Sequence, residues 1–330
     1  MAQIAERARA LADLVRLPAV LTVPGDVLTG NVMTGGALAG ASARPARTLG
    51  LCAASAGLYL GGMALNDWAD REVDAGERPA RPLPSGRVTP STALVTAAGL
   101  TAAGLGAAAL AGGRRSLATA AAVAVAAWSY DLGAKSTPAG PAVMASARVL
   151  DVLLGADGRF AGAAPAAAAI WLHTAVTTAL SRHEAGAGAA HDGRAPAGGA
   201  AGAGTPADMP HAATTRSATA GAAGWAVAGT GVVTVGTAVL AVRRAGGRRG
   251  RLAAALALIG AYAGTVGGAQ LAARRDPAPP AVQRAVGAGV LGLVLLEAGL
   301  LAAAGATLPA TGVAAAWPLA RALNRKRSVT

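Results

Sequence analysis

Long apolar runs dominate the chain, and polar residues do not interrupt them at the spacing that marks a half-buried strand or helix. A helix that is apolar on every side is either enclosed in protein or faces lipid. Such runs occupy residues 17–38, 48–65, 91–112, 117–130, 139–156, 161–181, 218–242, 251–272 and 283–304. Many approach or exceed the ~18 residues that mark a membrane crossing. The pattern predicts an all-α integral membrane protein, a bundle of about nine transmembrane helices around a central cavity. A proline-broken segment at 306–321 reads as a short tenth crossing or as an interfacial helix. Residues 1–16, MAQIAERARALADLVR, predict an amphipathic surface helix. The organisation is then a surface segment at 1–16, one transmembrane domain at 17–304, and a weak apolar segment with a basic tail at 305–330. Within the domain, residues 185–217 are Gly, Ala, Pro, Thr and His in no periodic order and predict a flexible loop. His191 and His211 read there as plain loop residues.

Composition sharpens this picture. Of 330 residues, 53% are hydrophobic and 14% charged, against about 25% charged in an ordinary soluble domain. The formal net charge of +13 is spread through every loop, and aromatic residues make up 3%. That combination suits an anionic bilayer surface and argues against nucleic-acid binding. A single cysteine, Cys52, excludes an internal disulfide and a cysteine-held metal. The first apolar run lacks a small-residue cleavage site and reads as a span rather than a cleaved leader. Lys and Arg favour one face: Arg7, Arg9, Arg16, Arg71, Arg78, Arg81, Arg87 and Lys135 against Arg44, Arg47, Arg114 and Arg115. This bias predicts a multi-pass cell-membrane protein with the loops at 66–90, 131–138 and 182–217 in the cytoplasm. The basic stretches at 243–251 and 321–327 fall on the other side in a nine-span count, and a tenth span would return the second of them.

Candidate chemistry concentrates in NDWADREVDAGERPARPLPSGR, residues 66–87. On a helix Asp67, Asp70 and Asp74 fall within about 60° of one another. Three carboxylates on one face repel unless something neutralises them. Oxygen donors of this kind suit Mg²⁺, which takes one or two carboxylates and completes its shell with water and substrate phosphate, and Asn66 adds a neutral oxygen. Arg78, Arg81 and Arg87 follow, with prolines at 79, 82 and 84 to end the helix. Arginine forks match phosphate oxygens. Metal-binding acids beside phosphate-binding bases describe a diphosphate site; ordinary loop salt bridges are the alternative.

The same stretch resembles the first aspartate-rich motif of the UbiA-type intramembrane prenyltransferases, NDxxDxxxD followed by an RPLPSGR-like segment. The resemblance implies a nine-helix bundle that moves an isoprenyl group from a prenyl diphosphate to an acceptor, aromatic or lipid-like. It implies that Asn66, Asp67, Asp70 and Asp74 hold Mg²⁺ and the diphosphate. WSYDLGAK, residues 128–135, is similar to the family's Tyr-to-Lys element with one extra residue. Lys135 is then a point charge on the diphosphate, and Tyr130 a partner of the leaving group or of the allylic cation. An interfacial tyrosine with a snorkelling lysine is the plain alternative. Where the family carries a second aspartate-rich motif, this chain has Ser181, Arg182, His183 and Glu184. That element resembles a divergent EboC-like branch. There Arg182 would replace a cation on the diphosphate, and Glu184 would touch metal through water. His173, deeper in the same span, reads as an acceptor-side base or as a satisfied interior histidine.

In the fifth span, Arg148 and Asp151 stand three apart in an apolar segment. Ionisable residues at that depth face the bundle interior and pair. They read either as one intrahelical ion pair or as lining for the acceptor. Aromatic residues able to cradle an allylic cation are few: Tyr59, Trp68, Trp128, Tyr130 and Trp171. Two other functions compete. A family member with altered chemistry would act as a membrane transporter or lipid-binding protein. A CDP-alcohol phosphotransferase would need a DGxxAR…GxxxDxxxD segment, into which the DGR at 157–159 does not continue.

Overall fold

The computed structural model describes residues 1–16, 20, 23–35, 45–191 and 209–327. Among them the secondary structure is helical throughout. The helices are α1 (Ala2–Leu14), α2 (Pro24–Met33), α3 (Pro45–Ala69), α4 (Arg71–Glu77), α5 (Pro90–Leu132), α6 (Gly140–Ala156), α7 (Phe160–His191), α8 (Met209–Ala245), α9 (Arg249–Tyr262), α10 (Gly268–Arg275), α11 (Pro279–Ala303) and α12 (Thr307–Arg327). Six described helical segments are long and apolar enough to cross a membrane: those at 45–69, 90–132, 160–183, 214–245, 249–275 and 279–303.

Helix α5 is two limbs. Gly113 sits at φ 70° and ψ −160° inside it, a conformation that glycine adopts without the Cβ clash other residues meet. The chain reverses there. Trp128 on the second limb donates to the Thr101 hydroxyl on the first, at 3.2 Å. The two apolar runs expected at 91–112 and 117–130 are these limbs. Helices α9 and α10 run on from one another through a π-turn at Ala263–Gly267. Helix α11 is the centre of the bundle: every residue from Gly292 to Ala303 is buried, as an all-round apolar sequence requires.

Apolar area does not drive helices together in lipid; close packing does. The α2–α6 contact shows this at two reciprocal positions. A Cβ on Gly30 would stand 1.8 Å from the Val152 carbonyl oxygen, and one on Gly155 would stand 2.0 Å from that of Val27. The backbones touch where only glycine fits. Helix α2 has 10 residues, about 15 Å at 1.5 Å per residue, half the ~30 Å hydrocarbon thickness. Its last carbonyl, on Met33, accepts from Arg244 at 2.7 Å, and the same guanidinium donates to Gly162 at 3.1 Å. That bond fixes α2, α7 and α8 at one end of the bundle.

Chain direction then sorts the loops. The segments at 70–89 and 133–139 share one end, called here the aspartate end. The turns at 113, 157–159 and 246–248 share the other, the far end. The surface helix expected at 1–16 is α1, whose Ala10 and Leu14 pack with Leu65, Leu83 and Val88 at the aspartate end.

Three expectations change. The loop predicted over 185–217 is shorter, because α7 continues to His191 and α8 begins at Met209; residues 192–208 lie outside the described residues. An alanine- and glycine-rich composition reads as loop by its lack of pattern but does not prevent a helix that already has length to propagate it. Of the first span, expected at 17–38, the described helix is α2 alone. The segment at 306–321 forms α12, a helix that runs on to Arg327 with Pro318 inside it.

Candidate functional site

The aspartate end is built by the C-terminus of α3, the short α4, the proline-rich loop after it, and the turn after α5. Asn66 and Asp67 are the last polar positions of α3; the helix breaks at Asp70 and restarts as α4. Hydrogen bonds from the Asp70 amide to Asn66 (2.9 Å) and from the Asp74 amide to Asp70 (2.8 Å) carry the helical path through the break. The three aspartates therefore keep nearly the expected spacing but do not share a partner.

They divide into two sets. Asp67 and Asp74 are buried, at 3% and 2% exposure. Both are bound by Arg81: at 3.4 Å to Asp67, and by a tight ion pair to Asp74. Arg16 adds a second base to Asp67 at 2.9 Å, and Arg78 lies 3.7 Å from Asp74. Asp70 turns the other way. Lys135 reaches its Oδ1 at 2.5 Å, and the Asn66 amide donates to its Oδ2 at 3.2 Å. The same Asn66 nitrogen donates to Asp131 Oδ1 at 3.0 Å. The break in the helix at Asp70 is the physical reason the single face expected for the trio becomes two pairs, Asp67 with Asp74 and Asp70 with Asp131.

Each pair presents the anionic oxygens that a hard divalent cation takes, and one or two carboxylates are enough for Mg²⁺. Among the described residues no three carboxylate, histidine or cysteine side chains stand close enough to hold an ion together, so an ion here would be gripped by a pair, with water and substrate completing its shell. The bases are as numerous as the acids. Arg16, Arg78, Arg81 and Lys135 pair with three carboxylates at the mouth of the bundle, Asp67, Asp70 and Asp74, and the fourth, Asp131, accepts from the Asn66 amide.

Arg16 and Asp131 were not among the expected site residues. Arg16 ends α1, and its backbone is left-handed at φ 47°, a costly conformation for a residue with a Cβ; its grip on Asp67 compensates. Asp131 lay in the quoted WSYDLGAK segment between Tyr130 and Lys135, and its acidity was the available signal.

The remaining expected residues fall into place as follows. Tyr130 is half-buried and feels the charges of Asp131, Asp70 and Arg182. Arg182 donates to the Thr137 carbonyl at 2.7 Å, tying α7 to the turn that carries Lys135. Ser181 bonds back to Thr178 in its own helix. The Glu184 side chain lies outside the described residues. Arg87 is at the rim, bonded to Asp13 at 2.9 Å and to the Ala80 carbonyl at 3.1 Å. His173 is buried, with Nδ1 2.9 Å from the Tyr262 hydroxyl and Nε2 3.0 Å from the Gly289 carbonyl. A carbonyl only accepts, so Nε2 carries the proton and Nδ1 accepts from the phenol. Both nitrogens are satisfied within the bundle, the interior histidine of the two alternatives.

Arg148 and Asp151 do not form the intrahelical pair. Arg148 pairs with Asp26 on α2 at 2.9 Å and approaches Glu297 on α11 at 3.6 Å. Asp151 accepts from Ser55 on α3 at 2.5 Å. A Cβ on Gly25 would stand 1.8 Å from Glu297 Oε2, so glycine there makes room for the carboxylate. From Ser55 to Asp67 is 12 residues of α3, about 18 Å of helix. These contacts tie α2, α3, α6 and α11 together in the far half of the bundle. Of the candidate aromatics, Trp68 stacks under Arg71 at 5.0 Å, and Trp171 lines a groove on the α6–α7 seam.

The family model described as the UbiA prenyltransferase family matches residues 29–192. The chain is 44% identical over 112 residues to a digeranylgeranylglyceryl phosphate synthase of Methanopyrus kandleri, covering 34% of this chain and 40% of that protein. It is 54% identical over 44 residues to the protein of the same name from Methanothrix thermoacetophila, covering 13% and 16%. The aligned stretches thus span less than half the length of these curated relatives. The fold matches that of a UbiA homologue of Archaeoglobus fulgidus solved with GPP and Mg²⁺, with a TM-score of 0.55 at 15% identity over 90% of this chain and 99% of that one. A UbiA homologue of Aeropyrum pernix K1 is similar, at 0.54 and 16% over 86% and 96%. This is a multi-pass membrane chain, and its aspartate-rich stretch lies inside the region, just under half of its length, that matches the UbiA prenyltransferase family model.

Proposed function

We propose that the protein is an intramembrane prenyltransferase that ionises a prenyl diphosphate at the aspartate end and passes the allylic group to an acceptor held in the bundle. The observation that carries this reading is the matched set of four acids and four bases on three separate segments, the end of α1, the α3–α4 stretch with its loop, and the turn after α5. A diphosphate and its counter-ion can exchange into such a set without changing its total charge balance: the anion takes the bases, and the cation takes the acids they leave.

Mg²⁺ fits the oxygen donors Asp67, Asp74, Asp70, Asp131 and Asn66, and when bound it supplies positive charge against the phosphate oxygens as the C–O bond breaks. The chain's own part follows from the geometry. Arg81 and Arg16 release Asp67 and turn to the diphosphate, with Arg78 beside them. Lys135 leaves Asp70 to add a further charge. Once turned to the diphosphate, these cations are held there before the C–O bond breaks, and preplaced positive charge lowers the barrier as the leaving group develops its own. Tyr130, close enough to Asp70 and Asp131 to feel their charges, donates to the departing oxygen. Arg182 holds the Lys135 turn through the Thr137 carbonyl rather than meeting phosphate in this arrangement. The apolar helices keep water from the allylic cation.

The curated relatives are named for synthesis of a digeranylgeranylglyceryl phosphate, which favours a lipid-like acceptor with a phosphate head over an aromatic one. The full reading includes nine crossings: the two limbs of α5, α6, the other five long segments, and the first span read from the sequence at 17–38, of which α2 is the described helix. It also places the aspartate end in the cytoplasm. The test is release of diphosphate from a radiolabelled prenyl diphosphate by the purified protein. Release that requires Mg²⁺ and stops on chelation is the expected result; release indifferent to chelator removes the metal from the reading, and no release with any prenyl chain length removes the enzyme.

A further inference from the structure

At the far end of the bundle, two cavities meet. One, of about 450 Å³, opens at the reversal of α5 and is lined by Arg115, Ser116, Thr119, Asp157 and Gly158. The other, of about 520 Å³, is an open groove down the α6–α7 seam, lined by Val149, Ala161, Ala164, Ala168 and Trp171. Leu153 and Phe160 belong to both. The charged residues at the rim of the first cavity therefore stand beside the apolar groove, with Leu153 and Phe160 in common.

The chamber is positive. Its only carboxylate among the described lining residues, Asp157, is already held through both oxygens by Arg47, each at 2.5 Å. Among the described residues no carboxylate pairs with Arg115, and its guanidinium leans over Gly158, with Nη1 3.9 Å from where a Cβ there would stand. Arg114 and Arg159 are exposed on either side. The second limb of α5 starts immediately after Gly113, so its first backbone N–H groups, which have no partner within the helix, add to the positive field at this end.

The channel has the length of one leaflet. From Phe160 at its mouth to Trp171 is 11 residues of α7, about 16 Å, against the ~15 Å that is half of a bilayer's hydrocarbon core. An anion with a hydrocarbon chain fits both halves at once. We propose that this is a binding site for an anionic phospholipid of the leaflet opposite the aspartates, its phosphate against Arg115 and one acyl chain along the α6–α7 groove. A free phosphate would leave the groove unused. A zwitterionic head would bring its ammonium among three arginines.

The experiment is native mass spectrometry of the full chain in detergent, titrated with phosphatidylglycerol or phosphatidylcholine of equal chain length. The expected result is about tenfold tighter retention of phosphatidylglycerol, lost in Arg115→Gln while phosphatidylcholine retention is unchanged. Arg115 is exposed, so its replacement leaves the fold intact. Ala168→Leu, which narrows the groove from its exposed side, weakens both lipids together. Equal retention of the two lipids overturns the proposal, as does a preference that survives Arg115→Gln. Displacement of the lipid by soluble glycerol phosphate at the same concentration also overturns it, because the chain would then contribute nothing.

Discussion

Two charged clusters sit about 18 Å apart along α3, and they are built on opposite plans. At the aspartate end four acids meet four bases, the bases come from loops and helix termini, and several side chains remain part-exposed. In the far half three acids, Asp26, Asp151 and Glu297, surround one base, Arg148; Arg148, Asp151 and Glu297 are carried on helix interiors, Asp26 on the first turn of α2, and all three acids are buried. Carboxylate oxygens on each of those three acids lack a hydrogen-bond partner. The first plan allows exchange, since every ion pair can be replaced by a pair with a ligand while the charges stay balanced. The second does not, since its members are sealed between helices whose backbones touch at Gly30 and Gly155. Charged residues in a membrane protein invite a functional reading. What separates the candidate site from a structural tie is where its charges are carried, on loops and helix ends rather than between packed helices, and the balance between acid and base.

The comparison breaks most clearly at Asp67 and Arg148. Asp67→Ala is expected to reduce diphosphate release by about 10³-fold, some 4 kcal/mol of barrier, with the melting temperature nearly unchanged; a radiolabel assay beside a thermal melt reads both. Arg148→Met leaves three buried carboxylates without a base, and loss of one partner from a buried pair costs about 3–5 kcal/mol. Its expected signature is reversed, a lowered melting temperature before any specific effect on turnover. If Arg148→Met kept full stability and lost activity, the far cluster would belong to the reaction after all. Lys135→Ala sharpens the contrast at about 10²-fold in kcat, with Lys135→Arg recovering part of the loss. The smallest effect is expected at the rim. Asp13→Asn breaks an exposed ion pair with Arg87 and should change stability by less than about 1 kcal/mol, an effect that added salt erases.

The sequence pattern made the long crossings legible because an apolar run of that length has few other places to go. It also separated the two limbs of α5, since glycines and arginines interrupt the run at 112–115. The gathering of charge at the aspartate end was readable from 66–87, whose residues lie close along the chain, and from Lys135, which ends a nearby apolar run. Its division into two pairs was not, since that follows from the break at Asp70 and from Asn66 reaching across to Asp131. The far cluster was harder. Arg148 announced a need for an acid, and Asp151 stood three residues away; the partners it takes instead are 122 positions earlier and 149 later. Periodicity tells which residues need company, and only packing tells whose. Glu297 itself stood out in VLLEAGLL as a lone acid in an apolar run, and that was the signal available for it.

The reversal at Gly113 governs more than the shape of α5. Drawn out straight, its 43 residues would form a rod of about 65 Å, twice the depth of the ~30 Å hydrocarbon layer. The turn keeps both limbs within that layer and makes the count of passages even, so that Lys135 emerges beside Asp70 instead of on the other side of the barrier. One residue in a left-handed conformation therefore sets the parity of everything that follows it. A chain that failed to turn there would invert two-thirds of its length relative to its first third, separating the halves of the aspartate site by the full thickness of the bilayer.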